Sequence, residues 1–162
     1  MIPQRQKGRN IKTNPAFSLI EILLAIAIIG TLVAIAVPSV SAAVNKARIK
    51  RACADIAAIG AKIEGFYSDF GYLPATIDDI EVVNRDDPWG NPYEYLIILG
   101  RKKNEVEGKW RQDRFLVPIN SDFDLYSMGS DEDSRPPLTA QVSHDDIVRA
   151  NNGNYIGVAS KY

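Results

Sequence analysis

Apolar residues in this chain gather in one long run before they settle into regular patterns. From Phe17 to Val37 (FSLIEILLAIAIIGTLVAIAV), 17 of 21 residues are apolar, the exceptions being Ser18, Glu21, Gly30 and Thr31. As a helix rising 1.5 Å per residue, the run reaches roughly 30 Å, the thickness of a bilayer's hydrocarbon core. Its apolar side chains surround the whole circumference, whereas a soluble helix buries one stripe. The run predicts a transmembrane helix. It exceeds the roughly 7–15 apolar residues of a secretory signal peptide and continues into helix-compatible sequence, so it is expected to stay in the mature chain.

From Ser39 to Phe70 the pattern becomes helical and one-sided. Ile49, Cys53, Ile56, Ile59, Ile63, Phe66 and Phe70 recur every three or four residues and share one stripe, with Lys46, Lys50, Asp55 and Lys62 off it. Gly71 is placed to end the helix in a left-handed turn. Pro38 removes a backbone donor and is expected to kink the helix, and Gly30 weakens it further. If copies of the chain leave the bilayer to pack into a filament, the Gly30–Pro38 stretch is where the helix is expected to extend.

Residues 72–162 change character. Asp87-Pro88-Trp89-Gly90, followed by Asn91-Pro92, is a turn signal. Tyr93–Leu99, Phe115–Ile119 and Phe123–Met128 read as strands, with the charged Gly100–Arg111 segment as a connection. The fold class is α+β: one long helix laid on a small antiparallel sheet. Four segments follow: 1–16, 17–38, 39–71 and a globular head at 72–162.

Charge alters this picture more than composition does. Nineteen Lys and Arg against twenty Asp and Glu give −1, and the mean hydropathy is −0.14, values suggesting a plain soluble domain. The average hides a basic leader, Arg5, Lys7, Arg9 and Lys12, ahead of the apolar run. Without residues 1–16, fifteen basic residues face twenty acidic ones, which argues against direct nucleic-acid binding. The basic group Lys46–Arg51 balances the leader across the apolar run, so charge counting leaves orientation open. That group suits acidic headgroups of membrane lipid, an acidic loop of a neighbouring subunit, or plain solvent. The single cysteine, Cys53, excludes an internal disulfide and reads as a small apolar packing residue. Trp89 and Trp110 read as packing residues and His144 as a surface histidine. No phosphate loop, nucleophile elbow or metalloprotease motif is present, and no catalytic residue is assigned.

Glu21 stands out, because an acid deep in a bilayer costs on the order of 3 kcal/mol on insertion scales. Near the helix start, its carboxylate meets the positive end of the helix dipole. A cut before Phe17 would also create an ammonium group four residues upstream. In a staggered array of helices, one copy's Glu21 can neutralise the next copy's terminal amine and fix the axial register.

A second concentration of acid lies near the C-terminus. Residues 122–146 hold Asp122, Asp124, Asp131, Glu132, Asp133, Asp145 and Asp146 against one base, Arg135. Such a set repels itself unless exposed or bound to a cation, and calcium takes 6–8 oxygens from carboxylates and loop carbonyls. An EF-hand is excluded: counted from Asp131, its glycine position is Pro136 and its bidentate acid position is Val142.

The stretch Ala16-FSLIEILLAIAIIGTLVAIAVPSV resembles the N-terminal signature of type IV pilins and type II secretion pseudopilins. The features carrying it are the basic leader, FSLIE, the apolar helix and Pro38; Ala16 stands where the family usually has Gly. The resemblance implies cleavage between Ala16 and Phe17 by a prepilin peptidase, then methylation of the Phe17 amine. It implies a polymerisation role for Glu21, Gly30 and Pro38. DPWGNPYEYL at 87–96, FDLYSMGSDED at 123–133 and HDDI at 144–147 narrow the likeness to major pseudopilins of type II secretion systems. In that family calcium staples the loop after the last strand, which implies ligands at the Met128 carbonyl, Asp131, Asp145 and Asp146. Asp133 is added for its carboxylate in the same loop. The implied protein is a structural homopolymer and not an enzyme. It is stored in the inner membrane with a periplasmic head and works with other pseudopilins and an inner-membrane assembly platform. The alternatives are a type IV pilin or competence pseudopilin forming surface or DNA-uptake fibres, and a monomeric membrane-anchored calcium-binding module or enzyme.

Overall fold

The computed structural model describes residues 18–162, so the leader, Ala16 and Phe17 lie outside the described residues. The chain divides into two compact units, one ending at Ala42 and the other running Ala43–Tyr162. Helix α1, Leu19–Phe70, contributes to both, and helix is assigned through Gly30 and Pro38. In the first unit every residue from Ser18 to Ala42 is exposed. Within the helix, Thr31 Oγ1 donates to the Ile28 carbonyl at 2.8 Å, which satisfies its hydroxyl on an apolar surface.

In the second unit the remainder of α1 packs on an antiparallel sheet. The strands are β1 (Glu94–Ile97), β2 (Phe123–Ser127), β3 (Ile147–Ala150) and β4 (Tyr155–Val158), in the order β1-β2-β3-β4. A short helix, α2 (Lys103–Val106), lies in the connection from β1 to β2. Register pairs Ile97 with Phe123, Tyr126 with Val148, and Val148 with Gly157. Side chains alternate across β2 and β3, so each strand supplies two layers. Phe123, Leu125 and Ile147 join Ala52, Ile56, Ile59 and Ile63 of α1 in the main core. Val148 and Ala150 point to the opposite face, against Ile119, Leu138 and Ala159. Each fully buried aliphatic side chain contributes about 1.5–3 kcal/mol.

The predicted stripe on α1 is the buried one, with two departures. Phe70 is 59% exposed and stacks on Phe66 with centroids 4.6 Å apart. Asp55 is partly buried and accepts hydrogen bonds from Asn84 Nδ2 at 2.8 Å and the Tyr93 hydroxyl at 3.1 Å. Burial and that neighbouring carboxylate push the Tyr93 hydroxyl well above its ordinary range. Cys53 packs half-buried against the core, and burial pushes its thiol up. Gly71 ends α1 with φ +76°, its N–H donating to the Tyr67 carbonyl at 2.8 Å.

The strand expected at Phe115–Ile119 is not formed. Pro118 has no N–H for a ladder, and the segment turns back so that Asp113 and Leu116 bond each other. Phe115 is fully exposed at the tip. Gly100–Arg111, expected as a hairpin connection, instead contains α2, which buries Val106 with Ile98 and Trp110. Strands β3 and β4 are additional to the expected sheet.

Candidate functional site

Two regions carry the functional expectations, and each lies within one unit. The first is the N-terminal part of α1. Leu19, Ile20, Ile26, Leu32, Ile35 and Val37 are each more than half exposed, and the helix is long and apolar enough to cross a membrane. Glu21 sits in its first turn, exposed, with its N–H bonded to the Ser18 carbonyl at 3.0 Å. It is the only acid between Ser18 and Asp55. Gly30 is also exposed, with no atom within 4 Å of the place a Cβ would take, and Pro38 is exposed within the helix.

The second region is the turn joining β2 to the segment before β3. Gly129 adopts φ +74°, and a Cβ there would lie 2.6 Å from the Asp145 carbonyl oxygen, so only glycine fits. Asp145 Oδ2 accepts from the Ser130 N–H and hydroxyl, both at 2.7 Å, and from the Asp131 N–H at 3.3 Å. Asp131 Oδ1 in turn accepts from the Asp133 N–H at 3.1 Å. Asp131 and Asp145 are thus brought to one turn, with Met128 just before it, while Asp133 is exposed beyond it.

Asp146 points inward and is fully buried. Its Oδ2 accepts from Arg111 Nη2 and from Ser134 Oγ, whereas its Oδ1 is buried with no hydrogen-bond partner. Burial raises its pKa to about 6 despite the Ser134 bond and the Arg111 charge, which pull the other way. Arg111 extends the clamp: Nη1 donates to the Arg135 carbonyl at 2.7 Å, and the guanidinium lies 4.4 Å from the Tyr126 ring centroid. The Arg111 N–H also donates to Asp124 Oδ2 at 2.6 Å.

The acid excess of 122–146 is therefore partly balanced from outside that window. Arg111 neutralises Asp146, and Arg149 holds Asp122 by two bonds, at 2.9 and 2.7 Å. Neither arginine stood out in the sequence, because each reaches its partner across more than 25 residues. The donor set still suits a hard cation: it is all oxygen, and Asp146 Oδ1 is an orphaned buried acceptor. Among the described residues, however, no three Asp, Glu, His or Cys side chains gather as a metal-holding group. His144 is exposed, and Trp110 is buried as a packing residue, with Trp89 partly so.

Residues 12–37 match the prokaryotic N-terminal methylation motif. The chain is 32% identical over 136 residues to type II secretion system core protein G of Pseudomonas aeruginosa, covering 71% of this chain and 82% of that protein. The chain belongs to the type IV pilin-like pseudopilin family. The protein of the same name from Xanthomonas campestris pv. campestris is 28% identical over 95 residues, covering 49% of this chain and 66% of that one. No solved structure matches. The resemblance read from FSLIE and DPWGNPYEYL is borne out at the level of the family. The pseudopilin has the long apolar N-terminal helix and small antiparallel sheet expected, and its role is that of a pilin-like structural protein.

Proposed function

We propose that this pseudopilin polymerises into the periplasmic pseudopilus of a type II secretion system and so drives export of folded proteins. The observation that carries the reading is the exposed apolar surface of α1 with a single acid in its first turn. Such a surface needs either lipid or copies of itself around it. Its relatives' names, which speak of type II secretion, support the same reading. Prepilin peptidase cuts between Ala16 and Phe17, the Phe17 amine is methylated, and the span holds the subunit in the inner membrane with its head in the periplasm. Other pseudopilins and the inner-membrane assembly platform are its partners. Glu21 meets the neighbouring subunit's terminal amine and sets the register.

The calcium expected from sequence belongs to the same proposal. Asp131, Asp145, the free oxygen of Asp146 and the Met128 carbonyl would hold the ion. Bound there, it would supply positive charge to a turn that is otherwise rich in carboxylates. Asp133 lies nearby as a further donor.

The test is Glu21→Ala in the native organism, scored for membrane insertion, filament formation and secreted protein. Normal insertion with loss of filaments and of secretion is expected. Unchanged assembly and secretion in Glu21→Ala would overturn the register role. Deletion of the gene that abolished long surface fibres, and left secretion intact, would favour a type IV pilin or competence pseudopilin instead.

A further inference from the structure

We propose that Lys46, Arg48, Lys50 and Arg51 form a cationic collar that binds the phosphates of anionic phospholipid in the leaflet through which α1 leaves the membrane. The inference rests on the membrane reading above. The collar itself lies wholly within the unit that begins at Ala43.

All four side chains are exposed, and no acid occurs between Ile22 and Ala54 to neutralise them locally. Arg51 has one ion-pair partner, Asp55 Oδ2 at 3.6 Å, and is itself 56% exposed. Among the described residues Lys46, Arg48 and Lys50 make no ion pair. Within 46–51 only Ile49 is partly covered by the head. At 3.6 residues per turn the four cations spread over roughly 200° of the helix circumference. A collar that wide suits a surrounding lipid layer better than one protein loop.

Its height along α1 agrees with this. The last large apolar side chain exposed before the collar is Val44. The helical residues from Leu19 to Val44 supply about 38 Å of rise, close to the roughly 40 Å of hydrocarbon core plus headgroups. Lys46 follows about 3 Å further on, and helical side chains lean toward the helix N-terminus, here back toward the headgroups. Long Lys and Arg stems can then lie along apolar surface with their charge at the phosphate level. The collar's position therefore suits the electrostatic attraction exerted by anionic lipid, which fades within a Debye length.

The acidic turn of a second copy is the competing occupant. In this chain that turn is Asp131, Glu132 and Asp133, three exposed acids confined to one short turn, whereas the four cations spread around much of the helix.

The test uses the full chain reconstituted in phosphatidylcholine vesicles containing spin-labelled phosphatidylglycerol or spin-labelled phosphatidylcholine. Alkaline extraction first reports whether the chain is inserted. Spin resonance then reports how much of each labelled lipid is immobilised on the protein. We expect phosphatidylglycerol to be favoured at least about threefold at 0.1 M salt. The preference should fall sharply in Lys46→Gln/Arg48→Gln/Lys50→Gln and in 1 M salt. Neutralising Arg5, Lys7, Arg9 and Lys12 of the leader should leave the collar-dependent part in place. An inserted chain whose lipid preference is the same with and without the three substitutions overturns the collar alone. A chain extracted by alkali overturns the membrane reading and the collar with it. A preference absent from the inserted chain, with position 48 crosslinking to Asp131–Asp133 of a second copy, assigns the cations to subunit contact and also overturns it.

Discussion

Arg149 on β3 donates through Nη2 to Glu64 Oε1 on α1 at 3.0 Å, joining residues 85 apart in sequence. The same guanidinium holds Asp122 and lies 4.0 Å from the Phe123 ring centroid, while Arg149 itself is only 2% exposed. It is a planar, stacked, forked contact that a lysine ammonium cannot reproduce.

Arg149→Leu should cost the head about 2–4 kcal/mol, since a buried cation and its stacking are lost together. Glu64→Gln should cost under about 1 kcal/mol, because that carboxylate is 58% exposed and water screens it. Urea unfolding of the full chain in mild detergent, followed by tryptophan fluorescence, measures both. Arg149→Lys unfolding at the wild-type midpoint would show that charge alone suffices.

Arg111 and Asp146 are both buried, so removing one partner should hurt more than removing both. In chelator, Arg111→Met is expected to cost about 3–5 kcal/mol by stranding the Asp146 carboxylate. Adding Asp146→Leu to that variant should recover at least about 1 kcal/mol. Strictly additive losses in the double-mutant cycle would show that the pair is not coupled.

Asp124 gives the head a pH dependence of definite sign. Burial pushes its pKa up to about 6, although the Arg111 N–H and Asn120 pull it down. A folded pKa above the unfolded one means that the folded state binds the proton more tightly. Its charged form is therefore a burden above pH 6, relieved as pH falls from about 6 toward about 4. Relative to Asp124→Asn, the wild type should gain on the order of 2–3 kcal/mol between pH 7 and pH 4. Chemical unfolding of both proteins at several pH values reads this directly, and a gain in the opposite direction would contradict the assignment.

Calcium at the Asp131–Asp145 turn should raise the thermal midpoint of the head. At about a hundredfold excess over the dissociation constant, binding is worth about 3 kcal/mol, or roughly 10 °C for a domain of this size. Asp145→Asn should abolish the shift. Equal midpoints in calcium and in chelator would remove the ion from the proposed mechanism.

The parts of the fold written locally were legible. The apolar run and the α1 stripe depend only on spacing, as does the Asp87 turn, whose Oδ1 accepts the N–H groups of Trp89, Gly90 and Asn91, each at 2.9 Å. β3 was hidden because all four of its residues are buried and both of its faces are covered, which erases alternation. The signal that could have found it was Asn152-Gly153, a turn dipeptide between IVRA and YIGV, with φ +52° and +88°. At the acidic turn, the count of carboxylates was visible. Their arginine partners were not, because folding rather than spacing brings Arg111 to Asp146 and Arg149 to Asp122.

The N-terminal part of α1 also bears on the thermodynamics of assembly. Its exposed leucine, isoleucine and valine side chains meet hydrocarbon in the bilayer, and other helices in the proposed filament. Lipid tails and aliphatic side chains are almost equally apolar, so the exchange between them yields little net driving force. Leaving the membrane is then nearly isoenergetic for most of the helix, and a small input of work at the head can tip it in either direction. In the proposed pseudopilus, such a subunit would be suited to repeated insertion and extraction.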